Sequence, residues 1–62
     1  MPPEDRAARI ASLKRQLRFH QERRKRVEHD PELTAEDRTR KLIYHDSVID
    51  RLRVQLIDLE GH

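Results

Sequence analysis

The densest group of chemically active side chains in this sequence is a set of cations that flanks the central Asp30-Pro31-Glu32 segment. Four run consecutively before it and three follow it: Arg23, Arg24, Lys25, Arg26, Arg38, Arg40 and Lys41. Cations clustered in this way bind the phosphates of RNA or DNA, or the carboxylates of an acidic protein surface.

Three features of the composition weigh against phosphate binding by this basic cluster. Acidic residues stand close by, the formal net charge is only +2, and an aromatic content of 3% leaves bases little to stack on. The first interpretation is therefore a solvated helix end, where the helix dipole favours cations. Nucleic-acid binding is the second interpretation, and an acidic protein partner is the third.

Two histidines, His20 and His45, fall on the inward side of the periodic pattern described below. Two imidazoles are too few for a zinc site, and no third Cys, His or carboxylate stands at ligand spacing. We interpret both as partly buried side chains that set the helix register. We expect no metal and no cofactor.

No set of residues in the sequence has the types and spacing of a catalytic site. The serines are Ser12 and Ser47 alone, Cys is absent, and one glycine cannot form a phosphate-binding loop. The carboxylates fall on exposed helix positions rather than in a cleft. We therefore expect no enzymatic activity and no small-molecule substrate.

A heptad pattern, repeated on either side of Pro31, must position these side chains. Spacings of three and four residues alternate from Ile10 to Val27 and again from Ala35 to Leu59. Such a repeat is the seam of a coiled coil, and a short break between two seams makes an antiparallel helical hairpin. The sequence thus predicts an all-α fold.

Proline and capping residues mark the helix ends. Proline suits a first turn, as at Pro3, and the residue before Pro31 is pushed out of the helical region. Thr34 and Asp37 have capping-box spacing, and Gly61 suits a helix end. The predicted domain is a single hairpin over 1–62, with helix 1 at about 3–29, a turn at about 30–33 and helix 2 at about 34–60.

The two seams mirror each other about Pro31, which predicts the register of the hairpin. The numbers of facing residues then sum to 62: Ile10 with Leu52, Leu13 with Ile49, Leu17 with His45, His20 with Leu42, and Val27 with Ala35.

The same register makes two predictions about charged side chains. Arg24 faces Arg38, a like-charged layer that must reach outward to solvent or meet a carboxylate such as Glu28. Lys14 and Asp46 form an ion pair beside the seam. We expect the half of the hairpin near the turn to be the looser half and a candidate docking surface.

Helix 2 carries more apolar residues than one seam uses. Ile43, Val54 and Ile57 form a second stripe, and the small residues Ala7 and Ala11 of helix 1 lie beside it near the open end. The stripe favours a dimer that forms a four-helix bundle, although scattered surface hydrophobes are also normal. We predict self-association through these residues.

Phe19 points away from the seam and fits three roles. It could anchor a partner, make a second contact in a larger oligomer, or simply be exposed.

Size and composition limit the class of protein. A chain of 62 residues is close to the lower limit for a self-sufficient core, which again favours association. There is no Cys for disulfides, no long apolar run, and no basic and apolar start typical of a signal peptide. We expect a cytoplasmic protein that does not interact with membranes.

The function that these patterns favour is that of a small helical interaction module: an adaptor, an assembly subunit or a protein-docking inhibitor. Its expected partners are a second copy of itself and another protein. A dimeric nucleic-acid-binding regulator that uses the basic cluster is the second hypothesis, and a structural or scaffold protein is the third. The layout of two helices and a central turn resembles that of the small RNA-binding four-helix-bundle regulators of plasmid copy number. This likeness is one of architecture and implies no residue roles.

Overall fold

The computed structural model describes residues 3–61 as two α-helices joined by a turn. Helix α1 spans Pro3–Glu28 and helix α2 spans Ala35–Glu60. They run antiparallel and pack together in a rod of 46 × 14 × 12 Å. The predicted all-α helical hairpin is confirmed. Neither helix combines the length and the apolar character that crossing a membrane would need.

Short polar contacts shape the turn between the helices. The Oδ1 atom of Asp30 accepts a hydrogen bond from the Glu32 backbone N–H at 2.9 Å, an arrangement that stabilises turns after Asp. Thr34 has the extended backbone of an N-cap, and its hydroxyl accepts from the Asp37 N–H at 3.1 Å. The first helical turn of α2 is therefore capped as the Thr34–Asp37 spacing predicts.

The core is small and lies toward the open end of the hairpin. Its buried apolar side chains retain 5–8% of their accessible surface: Leu13, Ile49, Leu52 and Leu56. Partly buried residues pack against this group from both helices: Ile10, Leu17, Val48 and Leu59. The predicted seam residues thus face inward with the exception of Ala35, which is exposed at the start of α2, and the buried group lies far from the turn.

The register of the hairpin differs from the predicted one. His20 lies against His45 rather than Leu42, and Arg6 donates to the carbonyl of Leu59. Both pairs of numbers sum to 65, so the helices are displaced by three positions relative to the mirror about Pro31.

The displacement improves the apolar match at the open end. In the predicted register Leu56 would face Arg6, and Leu59 would face the first residue of α1. In the structure Leu56 packs with Leu13 and Leu52, and Leu59 packs against that group. Burying these leucines outweighs the cost of placing two histidines in one layer, since each buried leucine contributes about 1.5–3 kcal/mol.

Two predicted charge contacts are wrong for the same reason. Lys14 pairs with Glu60 at 3.1 Å and not with Asp46. In the observed register Arg24 and Arg38 no longer share a layer, because their numbers sum to 62 rather than 65. The predicted contact of Arg24 with Glu28 is confirmed.

Each of these arginines has partners of its own. Arg24 contacts the carboxylates of Asp46 and Glu28, each at 2.5 Å. Arg38 donates to the carbonyls of Asp30 and Leu33 at 2.7 and 3.3 Å. Polar contacts therefore join both arginines to the half near the turn, although the buried Nε–H of Arg38 has no acceptor among the described residues.

Candidate interaction surfaces

One side of the hairpin, near the turn, forms an open groove, which we call the basic groove. Six side chains from the two helices define it: Phe19, His20, Arg23 and Arg26 of α1, and Lys41 and Tyr44 of α2. On α1 the residues 19, 23 and 26 are four and three positions apart, so they share one face of the helix beside the seam.

The aromatic rings of the chain gather in this groove. The sequence contains one Phe, one Tyr and no Trp, and both Phe19 and Tyr44 lie here. The Phe19 and His20 ring centroids are 5.4 Å apart, those of Tyr44 and His45 are 5.2 Å apart, and both contacts are edge-to-face. Phe19 and Tyr44 nevertheless stay 54% and 59% exposed. The groove therefore offers ring faces to a ligand.

The cations of the groove are not neutralised by neighbouring carboxylates. Among residues 3–61, no carboxylate lies within 4.0 Å of the charged groups of Arg23, Arg26 or Lys41. The Arg23 guanidinium instead stands 5.3 Å from the centroid of the Phe19 ring, a cation–π contact. Asp30 lies at the turn end of the groove, and its Oδ1 atom is engaged by the Glu32 N–H.

The other side of the hairpin carries two cations that are paired with carboxylates. Arg24 is paired there with Asp46 and Glu28, and these hydrogen bonds raise the pKa of its guanidinium. Lys14 is paired with Glu60 nearer the open end. Lys14 and Arg24 on this side are thus paired with carboxylates, whereas Arg23, Arg26 and Lys41 of the basic groove are not.

His20 and His45 form the floor of the basic groove. Their Nδ1 atoms are 3.1 Å apart, so one ring donates its proton and the other accepts it. Burial, reinforced by His20 and Arg23, lowers the pKa of His45 below its ordinary value of 6.5, and Asp46 opposes the shift. Within the described part of the chain, no group of three or more His, Asp or Glu side chains is arranged to hold a metal ion.

A second surface is the apolar stripe of Ile43, Val54 and Ile57 on α2. These side chains are 61%, 58% and 68% exposed. His45 and Leu52 are buried against α1, so the stripe lies on the side of α2 turned away from the hairpin seam. The structure thus leaves this stripe uncovered.

The remaining residues predicted to take part in binding are distributed between the two sides. Ala7 and Ala11 are exposed on α1 toward the open end. Lys25 is exposed on the side of Arg24, and Arg40 stands 3.9 Å from Asp37. Arg24, Lys25, Arg38 and Arg40 therefore lie outside the basic groove, which takes only part of the predicted cluster.

Tyr44 and the two histidines were not predicted from the sequence to line this surface. Phe19 was predicted to lie apart from the basic cluster. The signal was present in the helical spacing, because residues 19, 23 and 26 share a face and residues 41 and 44 share another. That the two faces meet depends on the register, which the sequence predicted incorrectly.

The chain matches no protein-family model, no curated protein and no solved structure.

Proposed function

We propose that this protein is a non-enzymatic interaction module that self-associates through the apolar stripe and also docks on another protein. Adaptor, assembly subunit and docking inhibitor are the forms such a module takes. The observation that carries the proposal is the exposure of Ile43, Val54 and Ile57, each more than half accessible on the outer side of α2. Three aligned β-branched side chains are exposed to water, so packing them against another apolar surface is favourable.

The stripe has the pattern of a second coiled-coil seam. Between its apolar members stand Ser47 and Asp50, so positions 43, 47, 50, 54 and 57 alternate at spacings of four and three. Both polar residues are exposed in the hairpin. A second helix with a matching pattern can therefore pack along the whole stripe.

The pattern is complementary to itself when it is reversed, which favours a second copy of this chain as the partner. In an antiparallel pair of α2 helices, Ile43 lies opposite Val54 of the other copy, and Ser47 lies opposite Asp50. Each serine hydroxyl then donates to a carboxylate across the two-fold axis, and the apolar pairs flank this contact. Such a self-complementary patch is what a two-fold symmetric dimer requires.

Sedimentation equilibrium tests the proposal. At micromolar concentration the protein should sediment with at least twice the chain mass of 7.5 kDa. Ile57→Lys should shift the protein toward monomer, because position 57 adjoins the apolar pairs at their end and lies opposite Arg40 of the other copy, so the new lysine brings two cations together there. The matched control Gln16→Lys adds the same charge at an exposed position on α1 and should leave the mass unchanged. A wild-type monomer, or a dimer indifferent to Ile57→Lys, would refute the proposal.

A further inference from the structure

The basic groove has no task in the self-association proposed above. It lies between the two helices near the turn, whereas the apolar stripe lies on the outer side of α2. Its exposed rings and unpaired cations therefore belong to a surface that is separate from the proposed dimer contact.

We propose that the basic groove binds a short segment of single-stranded nucleic acid, with phosphates on Arg23, Arg26 and Lys41 and a base stacked on Tyr44. Proteins that bind single strands combine these two features: a positively charged path for the backbone and aromatic faces for the bases. The groove has both within one surface.

The cations of the groove are available to phosphates. Cations paired with carboxylates would have to exchange one anion for another, at little net gain. Arg23, Arg26 and Lys41 have no carboxylate within 4.0 Å in the described part of the chain, whereas Lys14 and Arg24 on the other side are paired. The three cations of the groove are therefore a local feature that the small net charge of the whole chain does not reveal.

Tyr44 is available to a base. Its ring is 59% exposed, and its edge contacts with His45 and His20 hold it in place without covering it. Phe19 and the Arg23 guanidinium, 5.3 Å from its ring centroid, extend this surface along α1. A flat guanidinium also stacks on bases, so a second nucleotide finds a platform there.

The aromatic rings of Phe19 and Tyr44 favour nucleic acid over an acidic protein as the ligand of the groove. An acidic peptide needs the cations alone, and aromatic faces add little to the binding of carboxylates. Because both of the chain's Phe and Tyr residues stand beside the three free cations, a ligand with planar groups between its charges fits best. A single strand exposes its bases for stacking, whereas a duplex keeps them paired and stacked.

Fluorescence anisotropy with labelled single strands of about twelve nucleotides, oligo-dT and oligo-rU, tests this inference. Three phosphate contacts predict a slope of about −2 for the logarithm of the association constant against the logarithm of salt, hence roughly tenfold weaker binding at about 150 mM than at about 50 mM salt. Lys41→Gln should weaken binding and reduce the steepness of that slope by about 0.7. The matched control Lys14→Gln, which removes a paired lysine on the other side, should change neither.

Tyr44→Leu tests the stacking contact. It keeps an apolar side chain at an exposed position and should weaken binding at least about fivefold. Helicity by circular dichroism should stay unchanged in this variant. The wild-type protein gives an independent measurement, because its single Tyr and single Phe have unique ring-proton signals. Those of Tyr44 should move upfield when the oligonucleotide is added.

Four outcomes would overturn the inference. One is no anisotropy change at low salt, and another is unaltered affinity in Tyr44→Leu together with unshifted ring signals. Equal or tighter binding of a duplex of the same length would exclude the single strand as the preferred ligand. Equal binding of a polyglutamate peptide would identify the groove as a site for acidic proteins.

Discussion

Between the two helices, His20 and His45 hold their Nδ1 atoms 3.1 Å apart, and the contact requires that one of these atoms carry a proton and the other a lone pair. If both rings are protonated, two donors and two positive charges face each other. Arg23 and Lys41 add positive charge from the two helices, and Asp46 is the carboxylate that opposes them. The hairpin therefore favours the neutral form of His45.

The stability of the fold should accordingly fall in mild acid. Burial lowers the pKa of His45 below 6.5 in the folded protein. As the pH drops through 6.5, the unfolded chain takes up the proton first, so protonation favours unfolding. Urea unfolding should have its midpoint at a lower urea concentration at about pH 5.5 than at about pH 7.5. Most carboxylates are still ionised at both pH values, so their protonation does not account for the difference.

Two histidine variants separate this effect from general acid sensitivity. His45→Leu removes the buried imidazole and should lose most of the difference between the two pH values. His29→Gln removes an exposed histidine of the turn and should keep it. The explanation fails if His45→Leu retains the full acid sensitivity.

At the scale of the helices, the register is set by which side chains share a layer. The mirror about Pro31 pairs each histidine with a leucine. The observed displacement instead places His20 with His45 and packs Leu13 with Leu52 and Leu56. The apolar layers thus lie next to one another at the open end, and the polar contacts lie near the turn.

Engineered disulfides test the register directly, because the native chain contains no Cys. The double variant His20→Cys/His45→Cys should oxidise to an intramolecular disulfide, since these side chains face each other. The comparison variant His20→Cys/Leu42→Cys should oxidise poorly. Faster migration of the non-reduced chain on a denaturing gel reports the bond. The register described here would be wrong if the second variant closed more readily than the first.

Much of the fold could be predicted from local patterns. Heptad spacing predicts two helices, Pro31 predicts the break, and the Thr34–Asp37 spacing predicts the cap that forms. These features depend on neighbours within one or two helical turns. The hairpin architecture then follows from the short connection.

The register and the basic groove could not be predicted in the same way. A displacement of three positions keeps the same seam residues inside, so periodicity alone does not distinguish the two registers. The choice depends on packing across the whole interface, including Leu56 and Leu59 at the far end. The groove depends in turn on this choice, since Tyr44 meets His20 only when the helices are aligned as observed.

For the whole molecule, the consequence of the exposed stripe is that folding and association should be linked. Among residues 4–61 the buried core has four apolar residues, which is little for a domain that stands alone. A contact that forms only between folded chains stabilises them by mass action.

The melting temperature should therefore rise with protein concentration. For about a hundredfold increase in concentration, a dimer of this size should gain about 5–10 °C. Ile57→Lys should melt at a lower temperature that is nearly independent of concentration, whereas Gln16→Lys should behave as the wild type. Scanning calorimetry over that range measures the effect. A wild-type melting temperature that stays constant would mean that the hairpin folds alone.

The position of the core also has a consequence for how the chain reaches its fold. Leu13 and Leu52 are 39 positions apart in the sequence yet lie in the same buried group, so the closest packing joins distant segments. Closing a loop of that length costs about 3 kcal/mol of chain entropy. The polar contacts beside the turn contribute little stabilising free energy to offset this cost. We expect the transition state for folding to need both helices largely formed before their far ends meet. The hairpin would then close from its open end toward its turn, the reverse of zipping from the loop.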